Sequence, residues 1–421
     1  MQNLILNKQE GMLKHAYETV PFYMELARRQ GIDLESIHSW EDIPCVTKGD
    51  LVLHNDSFIS SHYLSEYLQG KLIHILTSGS TGKCANVYWN LGDCRRSLLS
   101  LWMKRKMYYN IDPHDKHCYF FTSREVGQTD VEEEEQDFAL GFCKSNLNEE
   151  KLISIWEKMR AYEPVWLHLQ PSMAMLLCKV IEKHRLKAIP SLRYVETTGE
   201  MLFPYMREYI KEVLGVVIAD QYGSNELNSI AFECSSGHLH CMEKNVVLEI
   251  LDEHGEPVPD GHEGEIHVTT LTNRAMPLIR YGIGDRGRIL QRTCNCGNKG
   301  KILELTTGRS NDFVIDREGN CLNAYIFARC VENVNKMEEQ AILQFQVIQH
   351  NIDDFTINLV LDDECEANHI CQAFMENLWQ SSLVGANFKI QLYEELFPEP
   401  KTGKLKWFIN ELDTKEMVNY G

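Results

Sequence analysis

The sequence lacks long apolar runs and any surplus of basic charge. No stretch of about 18 apolar residues occurs in the 421-residue chain, so we expect no membrane-spanning helix. The N-terminus has no basic stretch followed by an apolar core, so no secretory signal peptide is expected. Lysine and arginine total 42 against 61 aspartate and glutamate residues, for a formal net charge of −19. This balance argues against a protein that binds nucleic acid or an anionic membrane.

Internal repeats and low-complexity linkers are also absent. The length predicts two or three domains, and the missing linker predicts a short hinge between them. Fourteen cysteines without a signal peptide predict reduced thiols and a cytoplasmic location. The acidic run Glu132–Glu135 is predicted to be a solvated loop.

A segment of small, hydroxylated and cationic residues follows the apolar run Leu72–Leu76, which predicts a short buried strand. Backbone N–H groups and hydroxyls leaving a strand are suited to binding phosphate oxygens. Only two residues separate Gly79 from Gly82, so the spacing fits neither the Walker loop nor the GxGxxG pattern. The alternative is an ordinary solvated turn. The candidate phosphate-binding residues are Thr77, Ser78, Gly79, Ser80, Thr81, Gly82 and Lys83.

Strand and helix patterns alternate in the middle of the chain. Leu192–Thr197 predicts a strand, Phe203–Leu214 a helix, and Val216–Ala219 the next strand. This order implies parallel pairing and an α/β core. Turns at Gly199-Glu200 and Tyr222-Gly223 follow strand ends, where open α/β sheets bind ligands.

The pattern changes after Arg309. Segments 341–348 and 355–361 predict a hairpin, Ile370–Leu383 a helix, and Phe388–Leu392 a strand. We therefore predict a large N-terminal domain, residues 1–309, and a small α+β domain, residues 310–421.

Further glycine-containing and charged segments follow the phosphate loop in a defined order: Tyr222–Glu226, Tyr281–Asp285, Gly308–Asp312 and Pro400–Lys404. Together with the loop they resemble the core motifs of the adenylate-forming superfamily of acyl-CoA synthetases, peptide-synthetase adenylation domains and luciferases. Ala16–Tyr23 and Ile43–Leu51 resemble the phenylacetate–CoA ligase branch, which includes members linked to capsule biosynthesis. The resemblance implies a large N-terminal domain of layered α/β subdomains and a small mobile C-terminal α+β domain.

The same resemblance implies roles for individual residues. The loop would hold the β- and γ-phosphates of ATP, and Glu226 would bind Mg²⁺. Tyr222, with Gly223, would face the adenine, and Asn225 would bond the α-phosphate, where the family usually has Thr or Ser. Asp285 would accept hydrogen bonds from the ribose.

The remaining implied roles fall later in the chain and in the acid pocket. Arg309 would bind ribose or phosphate, and Asn311 would stand at the hinge. Lys404 would bridge the carboxylate and the α-phosphate during adenylation, placing positive charge where negative charge develops. Segments Leu167–Ser172 and Thr198–Glu200, with Gly199 and Glu200, align with those that line the acid pocket in relatives.

A second group of residues has the chemistry of a tetrahedral zinc site. The predicted ligands are Cys234, His240, Cys294 and Cys296, with His238 and Cys241 as rivals of His240. Four protein ligands would close the site, so the zinc would be structural. Free thiols are the alternative.

The resulting hypothesis is a two-step ligase with ATP, Mg²⁺ and a structural Zn²⁺. A small or aryl carboxylic acid would be activated as an acyl-adenylate and passed to the thiol of coenzyme A. Loading of an acyl carrier protein and transfer of AMP to a cofactor hydroxyl are alternatives. A non-catalytic nucleotide-binding scaffold is a further one, although the joint presence of Lys404, Glu226 and Asp285 argues against it.

Overall fold

A computed structural model describes most of the chain: residues 2–33, 40–76, 85–121, 132–143, 147–307, 313–315, 321–338, 341–363, 365–379, 383, 385–397 and 405–412. In these ranges the α-helices are α1 Gln2–Thr19, α2 Pro21–Gln30, α3 Lys48–Leu53, α4 Leu64–Leu68, α5 Leu91–Tyr109, α6 Glu149–Tyr162, α7 Pro171–Lys183, α8 Pro204–Leu214, α9 Tyr325–Met337 and α10 Ala367–Trp379. None of these described helices combines the length and the apolar character that crossing a bilayer requires.

The first strands alternate with helices: β1 Ile73–Leu76, β2 Asn86–Trp89, β3 His117–Phe121, β4 Glu133–Gln136, β5 Ala139–Cys143, β6 Trp166–Leu169, β7 Tyr194–Thr198 and β8 Val217–Ser224. A second run follows without intervening helices: β9 Asn228–Glu233, β10 Leu239–Cys241, β11 Val246–Leu251, β12 Gly264–Thr270, β13 Tyr281–Ile289 and β14 Ile302–Thr307. The last strands are β15 Phe313–Ile315, β16 Cys321–Asn323, β17 Ile342–Gln349, β18 Asp354–Leu361, β19 Asn387–Leu392 and β20 Phe408–Asn410.

The chain forms two compact units, each made of two stretches of sequence. Unit 1 comprises residues 1–112 and 221–310, and unit 2 comprises residues 113–220 and 311–421. One junction, between Asp220 and Gln221, falls within β8. Another lies one residue beyond the predicted boundary between residues 309 and 310. The functional division into residues 1–309 and 310–421 stays a prediction.

Unit 1 is built on an antiparallel sheet in the order β11-β12-β13-β14-β10-β9-β8, with β1 and β2 as a separate hairpin. Its core contains apolar residues of α1, α2 and α3 as well as the inward-facing side chains of the sheet. The N-terminal helices therefore cover a sheet whose strands come from the second half of the unit, which makes these contacts long-range.

Unit 2 contains the predicted α/β core. Strands β7, β6, β3 and β5 pair in parallel, and β4 closes the edge antiparallel to β5. A second sheet in the order β19-β18-β17-β20 includes the predicted hairpin of β17 and β18. One core joins the two parts, since the ring of Phe203 lies 5.9 Å from Phe345 and 6.1 Å from Trp407. The mixed α/β fold class is confirmed.

Two local predictions are wrong. The run Leu72–Leu76 forms a strand, but Ile73 and Ile75 are only half-buried and His74 is exposed, because a two-stranded hairpin has few neighbours to cover it. The acidic run Glu132–Glu135 is an edge strand rather than a loop. Its backbone pairs with β5, while the Tyr119 hydroxyl donates to Glu134 at 2.6 Å. Helix α10 also begins and ends a few residues earlier than predicted.

A buried arginine ties the N-terminal segment of unit 1 to its sheet. Arg280 is 2% exposed and its guanidinium donates to the Glu249 carboxylate at 3.2 Å. It also donates to the carbonyl oxygens of Glu41, Ile43 and Gly255 at 3.0, 2.6 and 3.1 Å. Burying a charge is costly unless it is paired and hydrogen-bonded, and these four contacts meet that need. The two at Glu41 and Ile43 fix the N-terminal segment beside β13.

We predict that Arg280→Met lowers the free energy of unfolding by about 3–5 kcal/mol, because Glu249 stays buried without its cation. Burial already raises the pKa of Glu249. Denaturant unfolding measures the change, and Arg288→Met serves as the control, since the Arg288–Glu304 pair is more than a third exposed on both sides. Equal small losses in the two variants would contradict the anchoring role of Arg280.

Candidate active site

The C-terminal end of β8 carries the first group of candidate residues in unit 1. The predicted turn at Tyr222-Gly223 is wrong, because both residues lie within the strand and pair with β9. Strands β8 and β9 pair with a register shift at Tyr222 and Gly223. A Cβ atom on Gly223 would lie 2.2 Å from the carbonyl oxygen of Asn228, far inside contact distance. Only glycine allows the two backbones to approach this closely, and the approach fixes the direction in which Tyr222 leaves the strand.

Tyr222 and Asp285 meet although they lie on different strands. The Tyr222 hydroxyl donates to Oδ2 of Asp285 at 2.7 Å, and both residues are half-buried. Asp285 is therefore oriented by Tyr222. The structure brings together the two residues that were expected to flank an adenosine.

Glu226 is a buried carboxylate in the same unit. The residue is 6% exposed; Nζ of Lys48 lies 3.9 Å from its Oε1, and the Tyr281 hydroxyl lies 3.5 Å from the same oxygen. The preceding residue, Asn225, is held through its carbonyl oxygen by Nε1 of Trp89 at 3.3 Å. A carboxylate fixed in this way, with one ammonium beside it, is a suitable ligand for a hard divalent cation.

Several predicted site residues lie outside the described residues: Thr77, Ser78, Gly79, Ser80, Thr81, Gly82, Lys83, Arg309, Asn311 and Lys404. The strands on either side of the candidate phosphate loop are described. They pair from Ile73 with Trp89 to Leu76 with Asn86, so the loop joins the two strands of a hairpin.

In unit 2, the end of β7 presents Gly199 and Glu200. Gly199 has a φ of +81°, which favours glycine, and Glu200 follows it directly. The Glu200 carboxylate accepts from the backbone N–H of Ser172 at 3.1 Å and from that of Leu405 at 3.0 Å. Leu405 is the residue after Lys404. One carboxylate therefore links the start of α7 to the backbone beside the candidate catalytic lysine.

Unit 2 contains a buried carboxylate, Glu196, that the sequence analysis did not identify as a candidate site residue. Glu196 on β7 is fully buried, accepts from the Tyr194 hydroxyl at 3.0 Å and lies 3.8 Å from Nε2 of His168. His168 belongs to the segment expected to line an acid pocket. Only the register of the parallel pair β6–β7, which sets His168 opposite Glu196, reveals the contact.

The four predicted zinc ligands come together in unit 1. One ligand atom from each of Cys234, His240, Cys294 and Cys296 lies within 4.8 Å of the others. Nε2 of His240 is 3.3 Å from Sγ of Cys296, and Sγ of Cys234 is 3.5 Å from Sγ of Cys294. A tetrahedral ion with Zn–S bonds of about 2.3 Å requires sulfur atoms about 3.8 Å apart. The donor set and its spacing therefore fit zinc.

The environment of these side chains also suits a metal. Nδ1 of His240 is 3.3 Å from the Gly300 carbonyl oxygen, which leaves Nε2 as the ligand atom. Burial raises the pKa of Cys294, but hydrogen bonds from Cys296 and from two neighbouring histidines outweigh it and lower the pKa to about 5. A lowered pKa favours the thiolate, the form in which cysteine binds metal.

The rivals of His240 take different positions. Nδ1 of His238 lies 3.2 Å from Sγ of Cys294, so His238 contacts the cluster without belonging to the group of four. Cys241 follows His240 on β10, where successive side chains point to opposite faces. Burial raises the pKa of Cys241 to about 12.

Comparison with known proteins agrees with the sequence motifs. Residues 138–273 match the model of the AMP-binding enzyme family, and residues 314–411 match that of the CapK C-terminal domain. Phenylacetate-coenzyme A ligase of Thermus thermophilus is 26% identical over 94% of this chain and 93% of its own length. Protein CapK of Staphylococcus aureus is 22% identical over 93% and 85%.

These matches support the adenylate-forming superfamily and, within it, the phenylacetate–CoA ligase-like branch. A crystal structure of 2-hydroxyisobutyryl-CoA ligase in the postadenylation state matches it with a TM-score of 0.77, over 99% of this chain and 90% of that one. At 17% identity this likeness shows the fold alone. The adenylate-forming fold, with a smaller C-terminal domain, is thereby confirmed.

The close backbone approach at Gly223 generates a prediction for both folding and nucleotide binding. We predict that Gly223→Ala lowers both stability and nucleotide affinity, because the added Cβ meets the backbone oxygen of Asn228 and displaces Tyr222. Gly11→Ala is the matched control. Its Cβ meets nothing within 4 Å, and alanine favours the helix by about 0.5–1 kcal/mol. Thermal unfolding and nucleotide titration measure both effects; a Gly223→Ala variant that behaves like Gly11→Ala would contradict this reading.

Proposed function

We propose that the protein activates a carboxylic acid with ATP and transfers the acyl group to the thiol of coenzyme A. The family supports this reaction class, since several relatives are phenylacetate-coenzyme A ligases. The observation that carries the proposal in the structure is the group Tyr222, Asp285 and Glu226. It combines an aromatic ring, an oriented carboxylate and a buried carboxylate beside a cation in one unit.

The reaction has two displacement steps. In the first, a carboxylate oxygen of the acid attacks the α-phosphorus of ATP, and the bond from that phosphorus to the bridging oxygen breaks, releasing pyrophosphate. In the second, the thiolate attacks the acyl carbon, the bond to the adenylate oxygen breaks, and AMP leaves. Neither step needs a protein nucleophile, so the chain contributes positioning and charge stabilisation.

Residues of unit 1 bind the nucleotide in this proposal. Tyr222 packs on the adenine and Asp285 accepts from the ribose hydroxyls, in an orientation fixed by their mutual hydrogen bond. Glu226 would hold Mg²⁺, which neutralises charge on the triphosphate. Thr77 to Lys83 hold the terminal phosphates, Asn225 the α-phosphate, and Arg309 the ribose or phosphate.

Residues of unit 2 act on the acid and on the transition state. Lys404 places positive charge between the carboxylate and the α-phosphate. Glu200 supports it by holding the N–H of Leu405, one residue away. Asn311 is the proposed hinge about which residues 310–421 move between the two steps. Breaking the Glu200–Leu405 hydrogen bond would then be part of the motion that withdraws Lys404.

The identities of the carboxylic acid and of the thiol acceptor complete the proposed function. A small or aryl acid is proposed from the branch. Coenzyme A is the proposed acceptor, and loading of a carrier protein is tested as the alternative. A cytoplasmic location is proposed because none of the described cysteines is paired in a disulfide.

The test incubates the protein with ATP, magnesium, coenzyme A and a panel of carboxylic acids, and measures AMP and acyl-CoA by mass spectrometry. We expect both products in equal amounts with at least one acid. Lys404→Ala should lower adenylation by about 10²–10³-fold or more, because a transition-state contact is lost. It should leave thioester formation from a supplied acyl-adenylate largely intact.

If AMP forms only when a carrier protein is present, the acceptor is the carrier protein and not coenzyme A. If the Lys404→Ala variant catalysed adenylation at the wild-type rate, Lys404 would have no role in that step. ATP binding without turnover of any acid would favour the non-catalytic scaffold.

We also propose that Cys234, His240, Cys294 and Cys296 hold one structural zinc ion. Cys234 directly follows β9, His240 lies on β10, and Cys294 and Cys296 lie in the loop between β13 and β14, so the metal would join segments distant in sequence. A metal that binds only the folded state adds its binding free energy to stability.

We predict one zinc per molecule and a lower metal content and melting temperature in Cys296→Ser, with nucleotide affinity less affected. Elemental analysis and thermal unfolding measure these changes in protein purified without added metal. Cys371→Ser, a half-buried thiol outside the cluster, is the control. Folded, active protein with almost no zinc would overturn the site, while full zinc in His240→Ala would transfer the fourth position to His238 or Cys241.

A further inference from the structure

The segment Ile43–Leu51 has so far served only to identify the branch, yet it is held firmly in unit 1. The Val46 N–H donates to the Arg280 carbonyl at 3.1 Å, and the Gly282 N–H donates to the Val46 carbonyl at 2.8 Å. These bonds dock Val46 alongside β13. The position of the following residues is therefore set by the sheet and not by a free loop.

A capping box then starts helix α3 at Lys48. The Thr47 hydroxyl accepts from the Asp50 N–H at 3.2 Å, and the Asp50 carboxylate accepts from the Thr47 N–H at 2.9 Å. Such a reciprocal pair fixes the first turn of a helix. Lys48 is the first helical residue, so its side chain extends from a fixed position on the backbone.

The side chain of Lys48 reaches Glu226. Its Nζ lies 3.9 Å from Oε1 of the buried carboxylate, and the Lys48 side chain itself is 27% exposed. At 3.9 Å the two groups form an ion pair without a hydrogen bond. The ammonium thus compensates the buried charge and retains its donors for another anion.

Hydrogen bonds also connect this corner to the hairpin that carries the candidate phosphate loop. Nδ2 of Asn55, just beyond α3, donates to the carbonyl oxygens of Asn86 on β2 and Leu51 on α3 at 2.8 and 3.3 Å. Trp89 at the end of β2 holds the carbonyl of Asn225. The base of the hairpin, Glu226 and Lys48 are therefore parts of one hydrogen-bonded frame within unit 1.

We propose that Lys48 binds the β- and γ-phosphates of ATP, and the pyrophosphate they become, beside the cation at Glu226. This inference rests on the proposed function. Glu226 would hold a divalent cation, which would compensate the carboxylate and attract phosphate oxygens. The Lys48 ammonium, within ion-pair distance, then donates to those oxygens and stabilises the leaving group.

The test compares binding of ATP, pyrophosphate and AMP, each with magnesium, by calorimetry. Lys48→Met should weaken ATP and pyrophosphate by about ten-fold or more, the loss expected for a charge-assisted hydrogen bond, and change AMP by less than about two-fold. Lys48→Arg should recover part of the affinity. Lys14→Met is the matched control, because Lys14 pairs with Glu18 on an exposed helix surface.

The pattern across the three ligands separates binding from scaffolding. If Lys48→Met weakened AMP binding as much as ATP binding, Lys48 would only support the fold of the site. If ATP and pyrophosphate affinities were unchanged, Lys48 would not contact the phosphates. Either result overturns the inference. Lys48→Gln replaces Lys48→Met if the latter unfolds. A wild-type protein that binds none of the ligands would overturn the proposed function as well. If the wild-type protein binds ATP tightly and neither Lys48→Met nor Lys48→Arg loses affinity, the role of Lys48 is overturned and the proposed function is not.

Discussion

The central constraint on this protein is the binding of a polyanion by a chain of net charge −19. Averaged over the surface, the field of such a protein repels a triphosphate. Cations must therefore be held at defined points, and the backbone must keep them there. Unit 1 meets this need through buried charges. Arg280 fixes the N-terminal segment, that segment fixes Lys48, and Lys48 lies beside the buried Glu226. Arg280 is compensated by Glu249 and Lys48 by Glu226, and the chain of contacts ends where a magnesium nucleotide is proposed to bind.

In unit 2, hydrogen bonds and aromatic contacts hold the segment that follows the candidate catalytic lysine. Two backbone N–H groups share the Glu200 carboxylate, one on α7 and one at Leu405. The aromatic contacts of Phe203 with Phe345 and Trp407 add a larger apolar interface. A hinge motion between half-reactions would exchange these contacts for others of similar energy, since a lid that is held too tightly would slow the second step.

The sequence predicted features that depend on local pattern. Periodicity gave the alternation of β7, α8 and β8, and residue type gave the four cysteine and histidine ligands, which meet within 4.8 Å. The pairing of strands that are distant in the chain could not be predicted from the sequence. The acidic strand β4 looked like a loop, because its side chains face solvent and only pairing with β5 makes it a strand. Lys48 and Glu226 lie far apart in the chain, and their contact depends on Arg280 and Val46, which no local pattern reveals.

The most direct test of the central claim is acid-dependent exchange between ATP and labelled pyrophosphate in the absence of any thiol acceptor. Exchange requires reversible formation of an acyl-adenylate and is independent of the second step. Screened over aromatic and small aliphatic acids, the protein is predicted to catalyse exchange with at least one acid and to show none without acid. ATP binding with no exchange for any acid, or exchange that does not depend on acid, would contradict the assignment.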